Sequence, residues 1–366
     1  MSAPVRVLTV ERPGVAVVRE EPEPALVEGR FRARTCYSGL SPGTELTWFK
    51  GTSPFLAASW DAELGLFRRD GVPAAAYPVR RLGYMEVGQV TDSRTTAVPE
   101  GTLVAMTYGH RTVHHGDPRS EHVVALPAGL DPLLGVYVAH MGPICANGLL
   151  HAAADVVRGE VTELGGGVRG RLVLVTGGGL VGLLTGLFAA HPGAAEVVVA
   201  DPTHQRRAAA AGLGLTAVDD SAADVALLLK DRWRHGPGDR GADVVFQCRG
   251  RAESLSLALR SLRPQGTVVD LAFYTDGADA VRLGEEFHHN GLGLRCAQIG
   301  RVPRGLAHLW DRRRLSTETV HLLRARGDAV RRHLVTDVVG LDDAPALLAD
   351  LAERRRHVIS AVFRPS

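Results

Sequence analysis

The sequence predicts an α/β protein with a doubly wound parallel sheet, together with a separate β-rich part. The chain has 366 residues, which is enough for one large α/β unit or two domains. From Arg171 onward, apolar strands alternate with helical patterns, as is typical of right-handed βαβ units on a parallel sheet. Before about residue 130 the chain consists of short β-rich runs separated by turns, which indicates a different architecture there.

The β-rich part begins with strand-like runs at Val5–Val10, Val15–Val18 and Phe31–Tyr37, followed by Val87–Thr91 and Leu103–Thr107. Residues 51–80 interrupt this pattern with three prolines, and we predict a short helix over Trp60–Arg69. Residues 131–154 are apolar and rich in alanine, which favours a helical connection into the second part.

The second part is predicted as a regular alternation of strands and helices. The strands are Leu172–Val175, Glu196–Ala200, Asp243–Phe246 and Thr267–Phe273, and the helices are Val181–Ala190, Gln205–Leu213, Ser221–Trp233 and Ala252–Leu262. Further helices are predicted at Ala307–Ala325 and Asp343–Arg354, and a last strand at Val358–Phe363.

Composition excludes several classes of protein. Apolar residues make up 45% of the chain and charged residues 22%, so the chain can bury a large core and is not predominantly disordered. The net charge of +2 argues against nucleic acid as a partner. The uncharged run 172–195 is broken by Gly177–Gly179 and His191-Pro192, which favours a buried strand, turn and helix over a membrane span. Four scattered cysteines, with no CxxC pair, suit a cytoplasmic protein without a structural zinc site.

A glycine-rich turn between an apolar strand and an apolar helix predicts a dinucleotide site. Gly177 permits the tight turn, Gly179 allows the backbone to approach a pyrophosphate, and Gly182 allows the helix to pack on the strand. Leu180 and Val181 then form the first helical turn, whose free N–H groups favour phosphate. A methyltransferase uses a similar glycine turn, but its chain normally begins with the fold that contains the turn. Here about 130 β-rich residues precede it.

The next strand ends at Asp201, where a carboxylate can accept both ribose hydroxyls of the adenosine and disfavours a 2′-phosphate. We therefore expect NAD rather than NADP as the cofactor. Arg206 and Arg207 follow, and they either flank the adenine or hold a phosphate. A second interpretation is a helix-capping aspartate followed by surface arginines.

Several stretches together resemble the medium-chain dehydrogenase/reductase superfamily. They are Ser38–Glu45 (SGLSPGTE), Gly83–Gly88 (GYMEVG), the glycine turn, Phe287–Asn290 (FHHN) and Ala297–Ile299 (AQI). The first is similar to the branch that contains bacteriochlorophyllide a dehydrogenase, whose enzymes oxidise a secondary alcohol to a ketone. The resemblance implies a GroES-like catalytic domain from residues 1–134 and 303–366, and a Rossmann domain from residues 135–302. It also implies a homodimer.

The resemblance further implies that zinc is absent. Zinc-dependent members of the superfamily place cysteine, histidine and a third cysteine or acidic ligand at the positions occupied here by Ser41, Tyr84 and Met141. These side chains are poor partners for zinc beside thiolate and imidazole ligands. We therefore expect no metal ligands in the chain, and another group must handle the substrate proton.

The resemblance places Tyr84 where the zinc histidine points, at a cleft between domains, and a phenol there can relay a proton. Ser41 and Thr44 lie on the loop that carries the proton relay, while His110 and His140 are further acid/base or substrate-side candidates. Each has a structural alternative: a sheet aromatic for Tyr84, turn chemistry for the two hydroxyls, and a solvated or satisfied histidine for the others. Other candidates are Glu45 and Glu86 as cleft or structural carboxylates, and Phe273 as a residue lining the cofactor.

The sequence thus predicts a zinc-independent, NAD-dependent oxidoreductase that moves a hydride between nicotinamide and a secondary alcohol or ketone in specialised metabolism. Reduction of a C=C bond in a quinone or enoyl substrate is an alternative, as is a non-enzymatic dinucleotide-binding protein. The small-molecule substrate stays open. Within residues 51–80, Trp60, Phe67, Arg68 and Arg69 are predicted either to contact a large or anionic substrate or to form a surface lid.

Overall fold

A computed structural model of the protein describes residues 3–365, apart from the side chain of Asp155. The chain forms two compact units. The first unit contains the described residues up to Ala139 together with those from Val335 onward, and the second unit is His140–Leu334. The polypeptide therefore leaves the first unit once and returns to it for its last strands.

The strands follow one another along both units. They are β1 (Val5–Arg12), β2 (Val15–Glu21), β3 (Phe31–Leu40), β4 (Ser59–Asp61), β5 (Leu66–Arg68), β6 (Glu86–Ser93), β7 (Leu103–Met106), β8 (Val113–Gly116), β9 (Val124–Ala125), β10 (Leu172–Thr176), β11 (Glu196–Ala200), β12 (Thr216–Val218), β13 (Arg234–Gly236), β14 (Asp239–Arg240), β15 (Ala242–Gln247), β16 (Leu262–Asp270), β17 (Gly293–Cys296), β18 (Val335–Gly340) and β19 (Ser360–Arg364).

The helices are α1 (Pro42–Lys50), α2 (Met141–Val156), α3 (Leu180–Ala190), α4 (His204–Gly212), α5 (Val225–Arg232), α6 (Ala252–Ser261), α7 (Arg312–His333) and α8 (Ala344–Ala352). Short 3-10 turns occur at Pro54–Leu56, Leu134–Tyr137, Leu164–Gly167, Arg304–Leu306 and Leu341–Asp343, and a π-turn at Leu283–Phe287.

The first unit is built around a largely antiparallel sheet in the order β18-β19-β3-β6-β7-β9, with β8 also paired to β3. Phe31 and Ala33 on β3 alternate inward and pack with Val104 and Met106 of β7, as expected for a sheet with one buried face. On another side of the sheet, Leu40 and the β1 and α8 residues form a second apolar cluster. The GroES-like β architecture expected for this part is confirmed.

The predicted helix over Trp60–Arg69 is wrong, because this stretch forms a β-hairpin. Strands β4 and β5 pair antiparallel, with Trp60 opposite Phe67. Oδ1 of Asp61 accepts the backbone N–H groups of Glu63 and Leu64 at 3.1 and 2.9 Å, and this local contact turns the chain instead of continuing a helix. Gly65 completes the turn with φ of +68°.

The second unit contains a parallel six-stranded sheet in the order β12-β11-β10-β15-β16-β17. This doubly wound Rossmann arrangement confirms the predicted fold class. Helices α5 and α7 begin later than predicted because Asp224 and Asp311 cap them, each side chain accepting a backbone N–H three residues on. The chain reverses its direction of strand addition between β10 and β15, where such folds place ligands.

The two units differ from the predicted domains at two segments, the short one at 135–139, which lies in the first unit, and a longer one near the C-terminus. The resemblance assigns residues 303–366 to the GroES-like domain, whereas residues up to Leu334 lie in the second unit. The reason is α7, which packs against α2: a Cβ placed on Gly142 would lie 2.2 Å from Cγ2 of Thr319. This close helix contact, with Leu315 and Leu322 buried, keeps α7 with the second unit.

Within residues 3–365, the helices are all too short or too polar to cross a membrane.

Candidate active site

The first candidate site in the first unit is a pair of hydroxyl groups. Tyr84 Oη donates a hydrogen bond of 2.5 Å to Ser41 Oγ. Ser41 directly follows β3 and Tyr84 lies two residues before β6, and these strands pair antiparallel with Ser38 opposite Glu86. The end of one strand thus meets the start of the other, which brings residues 43 positions apart into contact.

The phenol of Tyr84 stays protonated at neutral pH. Burial raises the pKa of Tyr84 to about 12, and the negative charge of Glu45 acts in the same direction. Hydrogen bonds from Ser41 and Thr44 stabilise the phenolate and oppose this rise without cancelling it. Tyr84 is therefore a hydrogen-bond and proton donor in this state rather than a resident base.

A buried carboxylate fixes the serine of this pair. Glu45, on the first turn of α1, accepts the backbone N–H of Ser41 at 2.8 Å and is itself almost fully buried. The carboxylate near the start of a helix also faces its partial positive charge. Glu45 thus holds the backbone from which the Ser41 hydroxyl projects.

His110 joins that carboxylate to a second one. Its Nε2 lies 2.6 Å from Oε2 of Glu45, and its Nδ1 lies 2.6 Å from Oγ of Ser38. The Ser38 hydroxyl donates to Glu86 at 3.2 Å, and Glu86 also accepts the backbone N–H of Tyr108 at 2.8 Å. We call Glu45, His110, Ser38 and Glu86 the buried network.

The buried network favours the protonated form of its histidine. Burial opposes that charge, but the carboxylate of Glu45 and the more distant one of Glu86 outweigh it and raise the pKa of His110. Burial also raises the pKa of Glu86, against the stabilising effect of His110 and of the backbone N–H groups. The ring of His110 is also packed, because a Cβ on Gly83 would lie 2.7 Å from it.

The structure therefore assigns His110 a different setting from the one the sequence suggested. The sequence hypothesis made it an acid/base group at the substrate. His110 is instead only 1% exposed, with both ring nitrogens hydrogen-bonded and the ring of Phe363 perpendicular to it at 4.8 Å between ring centroids. It contacts Glu45, which in turn accepts the backbone N–H of Ser41.

The residues at the zinc positions do not fit zinc. Ser41 and Tyr84 are neutral hydroxyls bonded to each other, and Met141 is a buried thioether. Zinc sites use thiolate, imidazole and carboxylate ligands. Among the described residues, histidine, cysteine and acidic side chains form no group of three that could hold a metal ion.

In the second unit, the glycine turn has the backbone geometry that a dinucleotide requires. Gly177 has φ of +101°, which disfavours any side chain there. A Cβ on Gly182 would lie 1.8 Å from the carbonyl oxygen of Gly177, so only glycine permits this helix to approach the turn. Around Gly179, by contrast, nothing lies within 4 Å of a Cβ position. The N–H groups of Leu180 and Val181 in the first turn of α3 thus face an open cradle.

Asp201 is part of the same turn. Oδ2 accepts the backbone N–H of Gly178 at 2.8 Å, and Oδ1 accepts that of Thr203 at the same distance. The guanidinium of Arg206 lies 3.4 Å from Oδ2, and the aspartate is fully buried. Asp201 therefore braces the glycine turn and the residue that precedes α4.

The carboxyl ends of the central strands carry polar residues that the sequence analysis overlooked. Gln247 ends β15 and its Nε2 donates to Tyr274 Oη at 3.0 Å, while Tyr274 donates to Asp270, the last residue of β16, at 2.9 Å. A polar residue closing an otherwise apolar strand was the available signal. Phe273, predicted to line the cofactor, is 48% exposed beside this cluster, and its carbonyl leaves no room for a Cβ on Gly250.

His140 and Cys145 lie on or beside α2. His140 is the residue before the helix, and Arg312 of α7 donates to its Nδ1 at 2.8 Å. That contact requires Nδ1 as acceptor and so favours a neutral imidazole. Burial raises the pKa of the Cys145 thiol to about 12, which agrees with a packing role.

Comparisons with known proteins support the fold and point to a dehydrogenase. Residues 181–299 match the family described as zinc-binding dehydrogenase. The chain is 26% identical over 344 residues to D-guloside 3-dehydrogenase of Escherichia coli K12, covering 92% of this chain and 93% of the relative. Its fold matches a protein of Sinorhizobium meliloti described as a zinc-binding dehydrogenase bound to NADP, at a TM-score of 0.74 with 21% identity and full coverage of both chains. It also matches galactitol-1-phosphate dehydrogenase of E. coli, at 0.75 with 15% identity, covering 98% of this chain and 100% of the other.

The glycine turn gives a prediction that separates folding from binding. Gly182→Ala should lower Tm by several degrees or prevent folding, because its Cβ overlaps the Gly177 carbonyl. Gly179→Ala places its Cβ in open space and should keep the wild-type Tm. It should nevertheless weaken the binding of NADH at least about tenfold, because the Cβ blocks close approach of the pyrophosphate. Thermal unfolding and NADH fluorescence titration measure the two effects. A Gly179→Ala variant with unchanged NADH affinity would contradict the assignment of the turn.

The buried network predicts how stability depends on pH. His110 and Glu86 both have raised pKa values, so the folded state holds protons that the unfolded state releases, and stability is lost as pH rises through the folded pKa values. The free energy of unfolding should therefore fall as pH rises above about 4.5, the ordinary pKa of glutamate, and fall further above about 6.5, that of histidine. Glu86→Gln should flatten this fall, measured by urea unfolding at several pH values.

A surface variant provides the control for that measurement. Glu163 pairs with Arg169 at an exposed position, and its pKa is lowered. Glu163→Gln should leave the slope in this range unchanged, because a lowered pKa acts at more acidic pH. Equal slopes for wild type and Glu86→Gln would show that Glu86 does not titrate with folding.

Proposed function

We propose that the protein is a zinc-independent, NAD-dependent oxidoreductase that interconverts a secondary alcohol and a ketone on a carbohydrate-like substrate, as a cytoplasmic homodimer. The observation that carries this proposal is the hydrogen bond between Tyr84 and Ser41, the two residues that the resemblance aligns with zinc ligands of zinc-dependent members. The open cradle at Gly179 and the match of residues 181–299 support dinucleotide binding.

The nicotinamide cofactor supplies the hydride chemistry when it is bound at the glycine turn. The chain's own hydroxyls act on the substrate oxygen. In ketone reduction, Tyr84 Oη donates its proton to the oxygen that becomes an alkoxide, and Ser41 Oγ and Thr44 hold the phenol in place. In alcohol oxidation, the same phenol must first lose a proton, so the reaction speeds up as pH rises.

The buried network sets this protonation state. A phenolate would form close to the carboxylates of Glu45 and Glu86, and both disfavour a further negative charge. His110 offsets the charge of Glu45 and keeps it hydrogen-bonded. We infer that His110 is a positioning residue, and that Glu45 both locates Ser41 and keeps Tyr84 protonated.

A carbohydrate-like substrate is favoured by the relatives. The matches include D-guloside 3-dehydrogenase and galactitol-1-phosphate dehydrogenase, whose names place their reactions on sugar derivatives. The first spans nearly the whole chain. A polyhydroxylated substrate also suits a site whose polar groups are neutral hydroxyls, since these both donate and accept hydrogen bonds.

Tyr84→Phe is the test of the proposed chemistry. It should lower kcat on sugar and polyol substrates about 10²-fold, because a positioned acid/base contributes 10²–10⁴-fold, and it should leave NADH affinity nearly unchanged. Oxidation by wild type should accelerate with rising pH, and the variant should lose this dependence. Ser41→Ala should have a smaller effect.

Tyr37→Phe is the matched control, because Tyr37 is another half-buried tyrosine of the same unit, on β3. It should retain wild-type kcat. Turnover of Tyr84→Phe at the wild-type rate would refute the phenol's role.

The cofactor preference has its own test. Wild type should bind NADH more tightly than NADPH, because a 2′-phosphate near the buried Asp201 carboxylate is repelled. Asp201→Asn removes the charge, keeps an acceptor for a backbone N–H, and should narrow this preference. Arg206→Gln should weaken the binding of NADPH more than that of NADH. The guanidinium of Arg206 lies 3.4 Å from Asp201 Oδ2 and is the cation there that can attract a 2′-phosphate. Equal or tighter NADPH binding by wild type, measured by fluorescence titration, would overturn the proposal.

A further inference from the structure

Four aromatic rings in the first unit form a continuous row, which we call the aromatic file. The ring of Trp48 stacks on Phe55 at 6.1 Å between centroids, and Phe55 contacts Phe67 at 5.5 Å. Phe67 in turn meets Trp60 edge-on at 5.1 Å. The four rings together extend further than one sugar ring. None of them belongs to the buried network or to the hydroxyl pair.

The aromatic file begins on the helix that carries the proposed hydroxyl site. Trp48 lies four residues after Thr44 on α1, so the two side chains share one helix face, one turn apart. The chain from Ser41 to Tyr84 forms α1 and the hairpin β4–β5 in between, so the file belongs to the segment that joins the two hydroxyls.

The inner end of the file is held firmly. Tyr77 Oη donates to the carbonyl of Trp48 at 2.6 Å, and Trp48 packs against the apolar cluster around α8. The backbone N–H of Ala75 donates to the carbonyl of Phe55 at 3.1 Å. The backbone at Trp48 and Phe55 is therefore held in place before any ligand arrives, which lowers the entropic cost of binding at this end of the file.

The outer end of the file is exposed. Trp60 and Phe67 are 44% and 46% exposed, and Leu66 between them in the hairpin is 57% exposed. A group of large apolar side chains exposed together on one hairpin marks a binding surface. Arg68, held between Asp61 at 3.8 Å and Asp70 at 2.6 Å, supplies a fixed polar rim beside these rings.

We propose that the aromatic file is the subsite for the non-reacting part of the substrate, and that this part is the apolar aglycone or second ring of a glycoside. The inference rests on the proposed function. Flat aromatic faces with a polar rim suit a ring with apolar C–H faces and polar edges. The link between the two sites is α1, on which Trp48 follows Thr44 by one helical turn, so a substrate oxidised at Tyr84 and Ser41 would reach the file by extending past this helix.

The test compares short and long substrates. Methyl and p-nitrophenyl glycosides of the same sugars are assayed with wild type, Trp60→Ala and Phe67→Ala. Each variant should raise KM for the p-nitrophenyl glycoside roughly tenfold and leave kcat for this substrate unchanged. KM for the methyl glycoside should change by less than about twofold. Leu227→Ala, an exposed apolar position on α5, is the control and should change neither.

Two outcomes overturn the subsite. Equal effects on the methyl and p-nitrophenyl glycosides would show that the rings do not select the non-reacting part. An altered oligomeric state of Trp60→Ala or Phe67→Ala in light scattering, with unchanged glycoside kinetics, would make the hairpin an interface between copies of the chain.

A binding measurement separates this inference from the proposed function. Quenching of tryptophan fluorescence by the p-nitrophenyl glycoside should reach half its maximum at the same glycoside concentration in wild type and Tyr84→Phe, and at a roughly tenfold higher concentration in Trp60→Ala. If wild type oxidises neither glycoside but shows this pattern, the subsite stands and the proposed reaction fails. If the glycosides are oxidised and Trp60→Ala binds like wild type, the proposed reaction stands and the subsite fails.

Discussion

The contact between Glu45 and His110 is the constraint on which the first unit's site depends. Both side chains are almost wholly removed from water, and their atoms lie 2.6 Å apart. Removing one partner of such a buried pair costs about 3–5 kcal/mol, because the other charge is left unpaired. The pair persists because its remaining polar atoms also have hydrogen-bond partners. Glu45 accepts the backbone N–H of Ser41, and Nδ1 of His110 is bonded to the hydroxyl of Ser38. Through these bonds it joins α1, β3 and the segment before β8.

In the proposed function, this arrangement keeps charged groups beside the reacting hydroxyls but away from water. Glu45, His110 and Glu86 are all buried. The phenol of Tyr84 is half-buried and has a raised pKa, and it donates to the buried hydroxyl of Ser41. The second unit follows a similar principle, because the buried carboxylate of Asp201 braces the glycine turn from below while the open cradle above it stays free of side chains.

Local patterns predicted much of this structure. The strand, glycine turn and helix at 172–190 and the carboxylate at Asp201 are short-range signals, and the parallel sheet follows from their repetition. The hairpin at Trp60–Phe67 was missed because its decisive contact, Asp61 turning the chain, resembles a helix cap in sequence. The buried network was not predicted at all, since Glu45 and His110 lie 65 residues apart and meet only after the sheet forms. The extent of the second unit likewise depends on the close packing of Gly142 against Thr319. The spacing of apolar residues in the sequence does not indicate this contact.

We propose that the Tyr84–Ser41 hydroxyl pair, beside the buried network, takes the place of a metal. Elemental analysis of purified, active protein tests this most directly, combined with assays before and after dialysis against a strong chelator. The account predicts far less than one zinc per chain and unchanged kcat after chelation, because Ser41, Tyr84 and Met141 do not form a zinc site. Stoichiometric zinc that is lost together with activity, and restored with it when zinc is added back, would contradict the account.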